Sequence, residues 1–305
     1  MVKTWSVLSI LVALVAALFM LVPSLRSSLP FLGPDEVSEE QLRIEALAVA
    51  QNYSYTTVLD DPPVIYLDDF LSEAEIAEIL NTSSPLFVPS QVYSPDDKAP
   101  KHRTSSSCLL PDDSPLASVI ATRALQFLSN VTKTAPPTAP RMPEPLSYYG
   151  LEKIQLVKYL PSQYYHHHMD WFDTLLRDDL PGKGKAGRGQ GRYYNRVASF
   201  FIYLEDECTG GGTEFPDLDF SIESAAQQGR LKPEEFWNER IDFAHVGDNK
   251  SVSGISFKPR KGSGVFWVNL LPIGYGDERL RHAGLPVQDG QKVGMNIWVK
   301  RDFGW

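Results

Sequence analysis

The sequence predicts an α+β fold in which an antiparallel sandwich or barrel carries helices packed on its outside. Three observations predict it. Helix signals crowd the stretch before about residue 130. From about residue 150 the pattern changes to short strand-like runs, at 153–159, 197–204, 252–258, 264–268 and 294–299. The chain has 305 residues, 43% of them hydrophobic, enough to bury one sizeable core or two small ones.

Taken in order, the first feature is an uncharged, almost wholly apolar run at 5–22, between Lys3 and Arg26. At roughly 1.5 Å rise per residue it just spans a ~30 Å hydrocarbon layer, and it exceeds the signal-peptide core of about 7–15 residues. The reading is an uncleaved signal anchor occupying 1–26, with Lys3 cytosolic and everything after Arg26 lumenal; a cleaved signal peptide is the alternative. Either way the expected location is the lumen of the endoplasmic reticulum or Golgi. Sequons at Asn52, Asn81, Asn130 and Asn249 fit that placement. Cys108 and Cys208, the two cysteines, allow one bridge or two free thiols. A net charge of −9, with no basic, aromatic-interleaved stretch, argues against nucleic acid as a partner.

Residues 27–61 read as a stem with a short helix over 39–50, and the domain proper as 62–305. Ser72 and Glu75 form a capping box and Leu71 and Ile76 a hydrophobic staple, which predicts a helix over 73–80. A second helix opens at Ser114 with Pro115 in its first turn. It places Leu116, Val119, Ile120, Phe127 and Leu128 on one face, which needs a sheet or another helix to cover it. Two insertions, at about 176–194 and 217–251, interrupt the strands. The first holds a Gly-, Lys- and Arg-rich loop at 181–192 without the Gly-Lys-Ser/Thr ending of a phosphate-binding loop, and the second a helix around 232–240.

The richest chemical signal is the run from Tyr164 through His166, His167, His168 and Asp170 to Asp173. On a strand, residues i and i+2 share a side, so His168 and Asp170 can face one metal. With His282 as a second, distant imidazole they would complete a facial triad that leaves coordination positions open. A solvated polar loop is the alternative for three consecutive histidines. Lys292 follows His282 on what should be the returning strand of a hairpin, with Gly290 between them. It can reach behind the metal and pair with the distal carboxylate of 2-oxoglutarate; an ordinary exposed lysine after a turn is the alternative.

These residues resemble the 2-oxoglutarate-dependent prolyl 4-hydroxylases, within the Fe(II) dioxygenase superfamily, over roughly 63–300. Tyr159, Gln163, Tyr165, His168 and Asp170 look like one family block, and Arg103-Thr104-Ser105-Ser106 like an earlier one. Gly210, Gly211, Thr213, Phe215 and Pro216, then Phe266-Trp267, His282-Ala283-Gly284, Pro286-Val287, Lys292 and Trp298 continue in the family's order. The resemblance implies a double-stranded β-helix (jelly roll), with His168, Asp170 and His282 as Fe(II) ligands. It implies 2-oxoglutarate contacts from Lys292, Tyr159 and Thr213, with Trp298 lining the same pocket or serving as plain core. O2 as co-substrate, ascorbate as reductant and a proline-containing peptide or protein as substrate are also implied. Ser162 stands where the family has Gly, and Gly212 where it has Glu. The competing readings are an oxygenase of the same class acting on another residue or a small molecule, and a non-catalytic lumenal binding module. A zinc hydrolase lacks support, because the chain has no His-Glu-x-x-His helix.

Overall fold

The computed structural model describes Ala48 and residues 50–90, 103–111, 114–134, 149–178, 192–230, 232–242 and 254–303, all within the unit Ile44–Trp305. The expected anchor at 5–22, the helix over 39–50 apart from Ala48 and Ala50, most of the loop at 181–192, and His102, His245 and Asn249 lie outside them. Among the described residues no helix is long and apolar enough to cross a membrane.

The strands run β1 (Ser54–Asp60), β2 (Pro63–Asp68), β3 (Val88–Pro89), β4 (Ser106–Leu109), β5 (Tyr149–Leu151), β6 (Gln155–Tyr159), β7 (Tyr165–His168), β8 (Leu176–Asp178) and β9 (Arg192–Glu205). They continue as β10 (Cys208–Gly210), β11 (Thr213–Phe215), β12 (Ile241–Asp242), β13 (Ile255–Phe257), β14 (Gly264–Val268), β15 (His282–Gly284), β16 (Val287–Gly290) and β17 (Lys292–Phe303). Among the described residues the helices of five residues or more are α1 (Glu73–Ser83), α2 (Pro115–Thr134), α3 (Ile222–Gln227) and α4 (Glu234–Asn238). The large sheet has the order β1-β2-β14-β9-β17-β6-β4-β3, with β5 beside β17 and β8 beside β9; a smaller sheet runs β12-β13-β11-β15-β7, and β10 pairs with β16.

Period-two alternation explains how one sheet serves two layers. On β9, Ala198, Phe200, Ile202 and Leu204 face the helices, where Phe127 of α2 meets Phe200 at 5.6 Å and Phe266 at 5.1 Å. Phe201 and Tyr203, one residue out of phase, face the smaller sheet. Aromatic pairs cross that inner space: Tyr66 of β2 with Phe257 of β13 at 6.0 Å, and Phe215 of β11 with Trp267 of β14 at 5.2 Å. Helices outside and two antiparallel sheets face to face fit the expected jelly roll. The site lies on the inner face, between the sheets.

Local chemistry sets the helices. Ser72 and Glu75 make the reciprocal cap of α1, and the Glu75 carboxylate also receives Arg123 from α2 at 2.6 Å, which ties the two helices together. All five apolar positions expected on one face of α2 are buried. Two boundaries differ from expectation. The stretch read as stem contains β1, which pairs with β2 from Ser54↔Asp68 to Asp60↔Pro63, so the sheet begins before residue 62. Only Thr56 and Val58 of β1 are buried, too few for its alternation to stand out in the sequence. Helix α4 is shorter than 232–240 because Pro233 fixes its start. Cys108 and Cys208 are both free thiols.

Ser162 has a φ of +67°, the left-handed region that glycine adopts without strain, and its N–H is fixed on the Val287 carbonyl at 2.7 Å. This is the position where the resemblance expects Gly. Substituting Ser162→Gly should relieve about 1 kcal/mol of backbone strain and raise the melting temperature by roughly 2–4 °C. A thermal melt showing no rise, or a fall, would mean the serine is not strained there.

Candidate active site

His168 ends β7 and His282 begins β15, and the antiparallel pairing sets the two directly opposite each other. Asp170 follows His168 by two residues and is buried, with 4% of its surface exposed. Nε2 of His168 lies 3.9 Å from Asp170 Oδ1, and Nε2 of His282 lies 3.8 Å from Asp170 Oδ2. All three donors fall within 4.8 Å of one another, and the imidazole centroids are 4.3 Å apart.

Each imidazole is oriented from behind. Nδ1 of His168 faces the His166 carbonyl at 2.8 Å, and Nδ1 of His282 the Leu280 carbonyl at 2.9 Å. A carbonyl only accepts, so Nδ1 carries the proton and each Nε2 lone pair is free to bind a cation. Burial, followed by the nearby His282, pushes His168 down to about 3, so it stays neutral. Burial alone would raise the Asp170 carboxyl; His282, Arg196 and the Ser199 hydroxyl together outweigh it and hold the group below its usual range. The result is two imidazole nitrogens and one carboxylate converging from one side. This donor set suits Fe(II) with open coordination positions.

Behind Asp170 runs a buried chain of hydrogen bonds. Ser199 Oγ donates to Asp170 Oδ2 at 2.7 Å, and Asn269 Nδ2 donates to Ser199 Oγ at 2.9 Å. Tyr165 stacks on His168 at 3.7 Å and carries Arg103 over its ring at 4.9 Å, so the early Arg-Thr-Ser-Ser block folds beside the triad.

Lys292 opens β17 opposite Tyr159 of β6 and is fully buried. Its Nζ donates to the Gly211 carbonyl at 2.5 Å and sits 4.8 Å, 5.2 Å and 5.9 Å from the rings of Tyr159, Phe201 and Tyr203. An ammonium has three N–H donors. Among the described residues the Gly211 carbonyl is the one hydrogen-bond acceptor it meets, which leaves capacity for an anionic group of a ligand. Burial pushes it down to about 7, partly opposed by Cys208.

Residues 154–300, which hold the three donors and Lys292, match the sequence model of the 2OG-Fe(II) oxygenase superfamily. Over these residues the chain is similar to 2OG-Fe(II) oxygenases, and its curated relatives are prolyl 4-hydroxylases. Among curated proteins it is similar to prolyl 4-hydroxylase subunit alpha-1 of Gallus gallus, at 27% identity over 244 residues. That alignment covers 79% of this chain and 36% of the relative, so the chain spans about a third of that protein's length. A probable prolyl 4-hydroxylase 4 of Arabidopsis thaliana is 28% identical over 151 residues, 50% of this chain and 42% of the relative. Among solved structures, a viral collagen prolyl hydroxylase from Paramecium bursaria Chlorella virus-1, in its 2OG complex, matches at 22% identity and a TM-score of 0.47, covering 83% of this chain and 98% of that one.

The remaining expected residues of the oxygenase domain fall at two ends of the inner face. Tyr159 is buried beside Lys292, and burial raises its hydroxyl, against the pull of Arg103. Thr213 is buried on β11, and its Oγ1 accepts from the Tyr203 hydroxyl at 2.8 Å. Trp298 lies at the other end: it pairs with Ser199 across β17 and β9 and stacks under the Arg196 guanidinium at 3.8 Å. Six residues of strand, roughly 20 Å, separate it from Lys292, which places it at the Asp170 end of the face. Gly212 packs tightly: a Cβ there would lie 2.3 Å from Ser256 Oγ.

Sequence reading missed Ser199, Tyr203, Asn269 and the bidentate Arg196–Glu152 pair, whose two contacts are both 2.7 Å. Ser199, Phe201 and Tyr203 carried a findable signal, since they occupy every second position of an expected strand. Asn269 carried none, because its role depends on which strand lies beside β14. Removing the hydroxyl by Ser199→Ala leaves Asp170 without its donor. Supporting contacts of this kind are worth about 10–100-fold in metal affinity, and calorimetric titration with Fe(II) or Co(II) should show a loss in that range; unchanged affinity would make Ser199 mere packing.

Proposed function

We propose that the chain is an Fe(II)- and 2-oxoglutarate-dependent dioxygenase that hydroxylates peptidyl proline to 4-hydroxyproline in proteins of the secretory pathway. The observation that carries this reading is the convergence of His168, Asp170 and His282 in the same space between the sheets into which a buried Lys292 with spare donor capacity projects. Zinc would also accept two imidazoles and a carboxylate. An interior ammonium in an aromatic cage is what a dicarboxylate co-substrate needs and what a hydrolytic zinc site has no use for. Fe(II), 2-oxoglutarate and O2 together supply the oxidation that turns a C–H bond into C–OH, with release of succinate and CO2.

The protein's own share of the work is positional. His168, Asp170 and His282 present one face of donors and leave the opposite side open. Lys292 orients the distal carboxylate of 2-oxoglutarate, with Tyr159 and Thr213 beside it, while the surrounding aromatic side chains exclude water. Peptidyl proline is favoured by the names of the relatives, both prolyl 4-hydroxylases. A lumenal location, with residues 5–22 as a single-pass anchor in the endoplasmic reticulum or Golgi membrane, is supported by that apolar run and by the sequons.

The decisive test incubates the protein with Fe(II), ascorbate, labelled 2-oxoglutarate and peptides with and without proline. Peptide-dependent succinate release with a 16 Da mass gain on proline is the expected result. Asp170→Ala should abolish it, since it removes the anionic ligand; peptide-dependent succinate from that variant would sink the ligand assignment.

Lys292 also predicts a pH dependence. Its folded pKa of about 7 lies below the ordinary lysine value of 10.5, so above about pH 7 the site without ligand holds a neutral amine. Binding a dicarboxylate then requires proton uptake. Affinity for 2-oxoglutarate should be greatest below about pH 7 and fall as pH rises from 7 to 9. Titration calorimetry at pH 8 in buffers of different ionisation enthalpy should register the proton taken up; no uptake would mean the ammonium keeps its charge without ligand.

A further inference from the structure

Among the described residues, Ile273 and Tyr275 are the most exposed large apolar side chains, at 75% and 73%. They stand two apart at the tip of a hairpin, residues 270–276, that joins β14 to the stretch before β15. The hairpin is shaped by its own backbone. Leu270 and Gly276 bridge its base, Leu271 N–H bonds the Tyr275 carbonyl at 2.8 Å, and Gly274 N–H bonds the Leu271 carbonyl at 2.8 Å, with Gly274 at a φ of +89°.

Both legs of this hairpin are fastened to the metal end of the site. One leg begins at Asn269, whose side chain reaches Asp170 through Ser199 and whose carbonyl accepts from Asp277 N–H at 2.9 Å. The other ends at Gly276, which lies flat on the indole of Trp171, the residue after Asp170. A Cβ at Gly276 would sit 2.0 Å from that ring, so the close approach requires glycine. An apolar tip is thus held at the rim beside the carboxylate and turned toward water.

We propose that this hairpin is the lip that seats the proline-rich stretch flanking the target residue, with the Tyr275 ring and the Ile273 side chain packing on pyrrolidine faces; the inference rests on the peptidyl-proline reading above. Two observations favour this occupant. The tip lies outside the buried pocket, so only an extended ligand touches both it and the triad. Its inner backbone groups already bond one another, so recognition falls to side chains rather than to strand addition, as in aromatic recognition of polyproline II segments.

The test compares the wild-type chain with Ile273→Ser, Tyr275→Ser and the double variant on two peptides that share one target proline, flanked by prolines in one and by Gly and Ser in the other. The double variant should raise KM for the proline-flanked peptide about tenfold, with the loss on KM rather than kcat, and cut the kcat/KM preference between the peptides by a similar factor. An unchanged preference in the double variant, with melting curves matching wild type, overturns the lip. Anisotropy of a labelled proline-rich peptide separates this inference from the activity. Binding that the double variant loses, in a protein that hydroxylates neither peptide, sinks the proline-hydroxylase reading and keeps the lip; no binding by wild type sinks the lip as well.

Discussion

A carboxylate shut away from water must be compensated or protonated, and the architecture around Asp170 follows from that requirement. Burial opposes its charge, yet His282, the nearby Arg196 and the Ser199 hydroxyl keep it an anion. Removing any one partner leaves a charge in a low-dielectric interior, so the compensators must stay fixed. Ser199 is fixed by Asn269, His168 and His282 by backbone carbonyls, and Arg196 by Glu152 and the Trp298 ring. The anion therefore organises parts of β7, β9, β14, β15 and β17 around one point, and a divalent cation is the compensation that these donors together are shaped to accept.

The large sheet makes this possible by separating two jobs. Its outer face buries Phe200, Phe266, Met295 and Ile297 under α1 and α2, and supplies bulk hydrophobic stabilisation. Its inner face is free to carry polar groups that a plain core would reject, Ser199 and Lys292 among them, and these face Thr213, His168 and His282 on the smaller sheet. Each is either paired or aimed at the space a ligand would fill. The same β17 delivers Lys292 at one end and Trp298 at the other, so a single strand sets the length of the site.

The two ends differ in character. The triad end opens past Trp171 to a rim built on the 270–276 hairpin, whereas the Lys292 end is closed by Tyr159, Phe201 and Tyr203. A small dicarboxylate suits the closed end and a macromolecular substrate the open one.

Much of this was legible beforehand for a local reason. The capping box of α1, the apolar face of α2, the period-two runs and the His168-x-Asp170 pair are all set by spacings of two to four residues, which the backbone converts directly into direction. By itself the sequence determined which residue types were available as donors, in what order they came, and which elements would carry them. Whether His282 meets His168, whether Ser199 reaches Asp170 and which end Trp298 occupies depend on strand register. A slip of one residue would turn every one of those side chains to the opposite face. Register is settled by packing across the whole sandwich, so only the tertiary structure decided that three distant donors converge, that β1 belongs to the sheet, and that the hairpin of Ile273 and Tyr275 stands at the rim.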